Sequence, residues 1–390
     1  MNKSVFNHFI PTRLIFGQGT LTKLGKEKLP GKKALIVITA GQSMKKFGYL
    51  ERVTRLLSSN GADAVVFDKI LPNPIRSHVM EAAALCKKEG CDFIVGLGGG
   101  SAIDSAKSIA VMARNDGDYW DYIFGGTGKE KLTTGGALPV IAIPTTAGTG
   151  TEADPWTVIT HEERNEKIGF GNDYTFPVLS IVDPELMVSV PPSLTAYQGF
   201  DAFFHAAEGY IANVSSPVSD VYALKSISLL SKYLPRAVKE GNDMEARTQV
   251  ALASMLSGMV ESTSSCTSEH SLEHAMSAHY PALPHGAGLI ILSKAYFSAF
   301  TDVCCDRFMS MAEAMTGRKS TKASEFTDAL VSMQKACHVD DLKMSDWKIQ
   351  PSDLSGFVTN ARETMGGLFQ VDPRQLGDDE LLNIYRLSYK

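Results

Sequence analysis

Between Lys33 and Asp183 the chain is a series of short, unbroken apolar runs, the first three each followed by a stretch with helical spacing. The runs are Ala34–Thr39, Ala62–Phe67, Asp92–Leu97, Leu138–Pro144 and Val178–Asp183. Hydrophobicity without alternation marks a strand buried on both faces. Such strands, separated by helices, build a parallel sheet covered on both sides. The spacing predicts helices near 48–60, over 76–89 and over 101–114. Ahead of them, Pro11–Gly19 predicts a short strand closed by glycines, with a helix near 20–28.

After about Pro192 the alternation stops. Segments 196–213, 217–240, 243–280 and 286–317 have helical spacing with few β-branched runs, which predicts an all-helical second half. Pro184, Pro191 and Pro192 punctuate the change. A chain of 390 residues is too long for one small core. The expected architecture is an α/β dinucleotide-binding domain with a Rossmann-like parallel sheet over 1–187. An all-helical metal-binding domain follows over 188–390, with the active site in the cleft between them.

Charge and targeting signals narrow the function. A formal net charge of −5 gives no electrostatic reason to bind nucleic acid or an anionic membrane. The N-terminus lacks the apolar run of a signal peptide, and no segment is apolar for long enough to span a bilayer. The six cysteines show no CxxC spacing and are read as reduced thiols of a cytoplasmic protein.

Two loops after predicted strands suit a nucleotide. Gly98-Gly99-Gly100-Ser101 opens a helix, where glycines permit close backbone approach and the helix N-terminus attracts phosphate. The motif is neither GxGxxG nor a P-loop. Ser101 with Asp104 also has the form of a capping box, which accounts for those two residues but not for three glycines. Pro144–Glu152 carries four threonine hydroxyls and suits ribose and phosphate contacts at the sheet's carboxyl edge, or is simply a polar turn.

Four of the nine histidines fall within 270–285. His270 and His274 share one face of a helix. Pro281 and Pro284 are expected to stop that helix, leaving His285 in the following turn before Gly286. Asp201 and His205 are again four apart. Singly, each of these is as well read as an ordinary hydrogen-bonded side chain. Together, Asp201, His205, His270 and His285 offer one oxygen and three nitrogens, a set suited to Fe(II) or Zn(II) with an open position.

GGGSAIDSAK (98–107), PTTAGTGTE (144–152), IVDPEL (181–186), GFDAFFHAAEGY (199–210) and HSLEHAMSAHYPALPHG (270–286) occur in the order found in the iron-containing (group III) alcohol dehydrogenases. The chain resembles that family over almost its whole length, from PTRLIFGQG (11–19) to NARETMGGLFQVDPRQL (360–376). The resemblance implies metal ligands at Asp201, His205, His270 and His285, and a second helical histidine near the nicotinamide at His274. It implies a pyrophosphate on Gly98, Gly99, Gly100 and Ser101, with Asp104 beside them. Thr145, Thr146, Thr149, Asn73, Lys167 and Leu186 would complete the cofactor site, with Thr39, Gly41 and Ser43 at its adenosine end. The implied activity is a metal-dependent, NAD(P)-linked alcohol dehydrogenase or aldehyde reductase acting on a short primary alcohol or diol. The metal is Fe(II) or alternatively Zn(II), and homo-oligomers of two or more subunits are common among such enzymes.

Three departures from the family's pattern stand out. Ala40-Gly41-Gln42-Ser43 has no acidic residue at the strand end, so NADP(H) stands beside NAD(H), with Ser43, Lys45 and Lys46 near a 2′-phosphate. Glu261–Glu269 is unusually polar, which reads either as a hydrophilic substrate pocket or as a helix end facing solvent. The interval between His274 and His285 is one residue longer than in the family's pattern, so His279 is given no role. Trp156 either walls the substrate pocket or packs in the core. A glycerol dehydrogenase-like zinc enzyme is one alternative. A dehydroquinate synthase-like lyase is another, but it would need lysines and arginines that 201–210 and 262–286 lack. A metal-binding regulatory or storage protein would have no use for two cofactor loops.

Overall fold

The structure, a computed structural model, describes residues 5–389. The strands are β1 (Arg13–Phe16), β2 (Lys33–Thr39), β3 (Asp63–Ile70), β4 (Phe93–Gly98), β5 (Val140–Pro144), β6 (Thr157–His161), β7 (Glu166–Phe170) and β8 (Leu179–Val182). Helices in the first half are α1 (Ser43–Lys46), α2 (Tyr49–Ser59), α3 (Arg76–Glu89) and α4 (Gly100–Arg114). The second half contains α5 (Pro192–Ile211), α6 (Pro217–Lys239), α7 (Met244–Thr263), α8 (Ser268–His279), α9 (His285–Ser298), α10 (Cys305–Thr316), α11 (Ser324–Ala336), α12 (Leu354–Phe369) and α13 (Asp378–Ser388).

Six strands form one parallel sheet in the order β1-β8-β5-β4-β2-β3. Every residue of β4, β5 and β8 is buried, which is why their sequences are apolar without alternation. Chain order runs outward through β3 on one side of β2 and through β5 and β8 on the other side of β4. The carboxyl ends of β2 and β4 therefore flank the point where strand order reverses, the usual ligand position of an open parallel sheet.

The predicted strands and helices of this half are present, with two differences. The segment expected as a helix near 20–28 is a 3-10 turn, Thr20–Gly25. An antiparallel hairpin, β6 with β7, lies outside the main sheet and had no counterpart in the sequence reading.

The second half is helical, but two expected long segments are each divided. The stretch 243–280 breaks between α7 and α8 because its hydroxyls find other partners. Ser264 Oγ donates to the Gly209 carbonyl at 2.7 Å, and Thr267 donates from N and Oγ1 to Glu208 Oε2, both at 2.8 Å. Ser268 donates from N and Oγ to Asp372. Thr267, Ser268 and Glu269 are all fully buried, so the polar approach to α8 is an interior hydrogen-bond network and not a solvent-facing helix end. The second division falls between α9 and α10, and at the other end of α9 the expected place of His285 is corrected. Pro284 is the N-cap, and His285 is the first residue of α9, not a turn residue. A proline just before a helix starts it as readily as it stops the one behind.

Packing divides the chain into two units. The α/β unit comprises 10–146 and 151–188. The helical unit comprises 189–390 together with 147–150 and the described residues before Ile10. The threonine-rich stretch is thus shared between them. The helical unit is built on α5, which is buried from Gly199 to Ile211, with Phe203 on Phe326, Phe204 on Phe297 and Phe200 against both Phe203 and Phe204. Among the described residues no helix is long and apolar enough to cross a membrane.

Candidate functional site

In the helical unit, Asp201 and His205 lie one turn apart on α5, His270 near the start of α8, and His285 at the start of α9. Close backbone packing brings α9 to α5: a Cβ on Gly286 would stand 2.0 Å from the Tyr197 carbonyl oxygen, so only glycine fits there. Three imidazole Nε2 atoms converge on one carboxylate oxygen. His285, His205 and His270 lie 3.4, 3.5 and 3.8 Å from Asp201 Oδ1. Asp201 Oδ1 and His270 Nε2 are buried without a hydrogen-bond partner. Two donors each about 2.1 Å from a tetrahedral ion would stand about 3.4 Å apart, so the spacing fits a divalent cation among the four.

The electrostatics favour a charged carboxylate at Asp201 and a neutral ring at His205. Burial raises the Asp201 pKa, but His205, His270 and His285 outweigh it and hold the carboxyl well below the usual range. Burial pushes His205 down to about 3, leaving a neutral imidazole with a lone pair to offer.

Behind each of these imidazoles stands a glutamate that sequence reasoning missed. His270 Nδ1 donates to Glu208 Oε1 at 2.5 Å, and His285 Nδ1 donates to Glu273 Oε2. Glu261 Oε2 lies 3.5 Å from His205 Nδ1, which makes no hydrogen bond. A carboxylate on the far nitrogen fixes ring orientation and tautomer and makes the near nitrogen a better donor. Glu208 and Glu273 follow His205 and His270 by three residues, and that helical spacing was the only signal in the sequence.

Cys266 also sits here, within 4.8 Å of His205 and His270 ligand atoms, although a site without sulfur was expected. Burial pushes its thiol well above the usual range, and Sγ donates to Glu261 Oε1 at 3.2 Å, so it is a neutral neighbour and not a thiolate.

His274 stands apart in its bonding. Its ring centroid is 5.2 Å from that of His285 and 6.3 Å from that of His270, yet its Nδ1 meets the Met365 sulfur at 2.8 Å. His279 is exposed, bonds the Ala275 carbonyl and packs on Phe357, away from the cluster.

In the α/β unit, Gly98 ends β4 at φ +152°, where a Cβ would meet that of Ala102 at 2.9 Å. Gly99 is the N-cap of α4, and the first-turn N–H groups of Gly100 and Ser101 follow at the sheet's carboxyl edge. Thr39 ends the neighbouring β2, with Gly41 and Ser43 exposed just beyond it. Ser101 Oγ donates to the Pro72 carbonyl, which sets Asn73 beside this loop, so Ser101 is not a capping residue.

Asp104 points away into the interior. Its oxygens accept from Thr151 Oγ1 at 2.8 Å and Val158 N at 3.0 Å, and burial raises its pKa to about 6. Its carboxylate is therefore used in anchoring 151–158 to α4 and does not face the loop. Lys107, buried with Asp154 at 3.1 Å, reinforces the same anchor and also holds the Trp156 carbonyl. The Trp156 side chain itself is part-exposed. Thr145 N donates to the Gly98 carbonyl, which ties the threonine stretch to the glycine loop, with Thr146 beside Gly99. Lys167 is buried on β7, and Leu186 lies in the core beneath the sheet edge. Thr149 belongs to the part of the stretch that packs with the helical unit. Lys45 is paired with Asp68 at 2.5 Å.

Comparison with known proteins adds an independent line. The family description "Iron-containing alcohol dehydrogenase" matches residues 11–184, and "Fe-containing alcohol dehydrogenase family, C-terminal" matches 195–389. Alcohol dehydrogenase 4 of Schizosaccharomyces pombe is 39% identical over 71% of this chain and 64% of its own length. The NAD-dependent methanol dehydrogenase of Bacillus methanolicus is 35% identical over 84% of the chain and 85% of its own. A solved alcohol dehydrogenase from a halo-thermophilic archaeon of a Red Sea brine pool superposes with a TM-score of 0.94 at 34% identity, covering 98% of this chain and 99% of that one.

Proposed function

The chain belongs to the iron-containing alcohol dehydrogenase family, and on that premise we propose that it interconverts a short primary alcohol or diol and its aldehyde. It is an oxidoreductase acting on CH–OH donors, with a nicotinamide dinucleotide as hydride carrier. The observation that carries the reading is the unpaired, buried Asp201 Oδ1 ringed by three Nε2 atoms.

Asp201, His205, His270 and His285 would hold the ion, Fe(II) first and Zn(II) as the alternative. A divalent ion so bound supplies Lewis acidity toward an alcohol or aldehyde oxygen, and the nicotinamide supplies or accepts the hydride. The protein's own part is alignment and proton handling. Gly98, Gly99, Gly100 and Ser101 cradle the pyrophosphate with main-chain N–H groups. Thr39, Gly41 and Ser43 receive the adenosine end, and Asn73, Thr145, Thr146 and Thr149 line the rest. Lys167 and Leu186, both buried, are the remaining candidate cofactor contacts. His274 holds the proton that leaves the alcohol or returns to the product.

With no carboxylate at the end of β2 to repel a 2′-phosphate, both NAD(H) and NADP(H) are candidate carriers. The same reading has the enzyme working in the cytoplasm as a homo-oligomer, without nucleic-acid or membrane partners. The test is a chelated preparation restored with Fe(II) or Zn(II) and offered NADH or NADPH with a panel of short aldehydes. Metal-dependent cofactor oxidation with at least one aldehyde is expected. No oxidation of either cofactor with any of them overturns the reading.

A further inference from the structure

Just past β2 the sequence offers cations and no acid: Ala40-Gly41-Gln42-Ser43 carries no carboxylate, and Lys45 and Lys46 follow it. The fold brings an acid there from the neighbouring strand. Thr39 pairs with Ile70, and Ala40 N donates to the Ile70 carbonyl at 2.8 Å, so β3 accompanies β2 to its end. Asp68 lies close before that end of β3, and its Oδ2 accepts from Lys45 Nζ at 2.5 Å. The other two lysines of this edge are turned elsewhere. Lys46 Nζ stands 5.6 Å from the centre of the Phe47 ring, and Lys69 Nζ donates to Glu81 Oε1 at 2.5 Å.

In an open parallel sheet a pyrophosphate at the turn after one strand sends its adenosine toward the end of the next, here from β4 to β2. A carboxylate met there repels a 2′-phosphate, and a lone cation attracts one. Lys45 is not a lone cation, because Asp68 cancels its charge. A 2′-phosphate would have to take the ammonium from Asp68 and then stand beside the released carboxylate. We propose that the Lys45–Asp68 pair is a specificity-determining element that favours NAD(H) over NADP(H), with the acid contributed by β3 in place of β2. The side chains are 46% and 42% exposed, so a nucleotide can reach them and the pair adds little to stability. The inference rests on the reading of this sheet edge as the dinucleotide site.

The experiment titrates the full chain separately with NADH and NADPH, reading nucleotide fluorescence, so binding is measured apart from turnover. The unaltered protein should bind NADH about tenfold or more tightly than NADPH. Asp68→Asn keeps the shape and removes the charge that occupies Lys45. It should move the affinity ratio about tenfold toward NADPH, the scale of a phosphate gaining one charged partner. Adding Lys45→Met to Asp68→Asn should abolish that gain, and about 0.5 M salt should shrink it, as screening of a half-exposed pair requires. An unaltered protein that binds NADPH as tightly as NADH overturns the proposal, as does an affinity ratio that Asp68→Asn leaves where it was. Failure of both nucleotides to bind any of these proteins would overturn the reading of the edge as a dinucleotide site, and the proposal with it.

Discussion

The two units prepare for their ligands by opposite means. At the end of β4 the α/β unit presents main chain: Gly98 at φ +152°, a glycine N-cap and the first N–H groups of α4. Around Asp201 the helical unit presents side chains, and His270, His285 and His274 are each held at Nδ1 by another side chain. The first kind of site fails when an atom is added, and the second when one is taken away.

The largest effect should come from removal at the converging oxygen. Asp201→Ala should lose bound metal and lower kcat/KM by about a thousand-fold or more, as expected when Lewis-acid stabilisation of several kcal/mol disappears. Metal analysis beside steady-state kinetics checks it. A protein retaining both would remove the ion from the account.

The matching addition is Gly98→Ala. Its Cβ would stand 2.9 Å from that of Ala102 at a backbone angle that favours glycine. A strain of about 1–3 kcal/mol should weaken dinucleotide binding about tenfold or more, read by NADH fluorescence titration, while metal content stays level. Unchanged binding would show that the loop does not hold the pyrophosphate.

Glu208→Gln leaves Asp201, His205, His270 and His285 in place and changes what stands behind His270. Metal affinity, measured by competition with a chelator, should fall about 10–100-fold. An unchanged affinity would make Glu208 merely the partner of Thr267.

The smallest effect compares one buried carboxyl in each unit. Burial pushes Glu152 and Asp372 each up to about 7. Each folded pKa lies above its unfolded value, so the stability it contributes is complete below the ordinary carboxylate range. That contribution is lost as pH climbs toward and through 7. Glu152→Gln and Asp372→Asn should therefore gain on the parent protein between pH 5.5 and 8 in urea midpoint. A gap that does not move with pH would mean the two carboxyls ionise normally.

These contrasts also explain what could be read in advance. The parallel sheet was legible because β4, β5 and β8 are buried on both faces and write that burial as unbroken apolar runs. The β6–β7 hairpin was not, since five-residue strands with charged or polar ends, such as Glu166–Phe170, resemble a loop in composition. Asp201, His205, His270 and His285 stood out by residue type and helical spacing. Their supports did not, because Glu208 meets His270 across 62 positions and Met365 meets His274 across 91, contacts that exist only after α8 has packed on α5 and α12. The sequence pattern alone puts His285 in a turn because a proline reads as an ending, whereas Pro284 is the N-cap from which α9 starts.

The central claim is that neighbouring histidines have different duties, and His274 with His285 tests it most directly. Their ring centroids are 5.2 Å apart. His285→Ala and His274→Ala should be compared for bound metal and for kcat with the same aldehyde and cofactor. The account predicts that His285→Ala loses metal and turnover together, whereas His274→Ala keeps its metal and loses turnover alone. Equal loss of metal from both, or full turnover without His274, would contradict it.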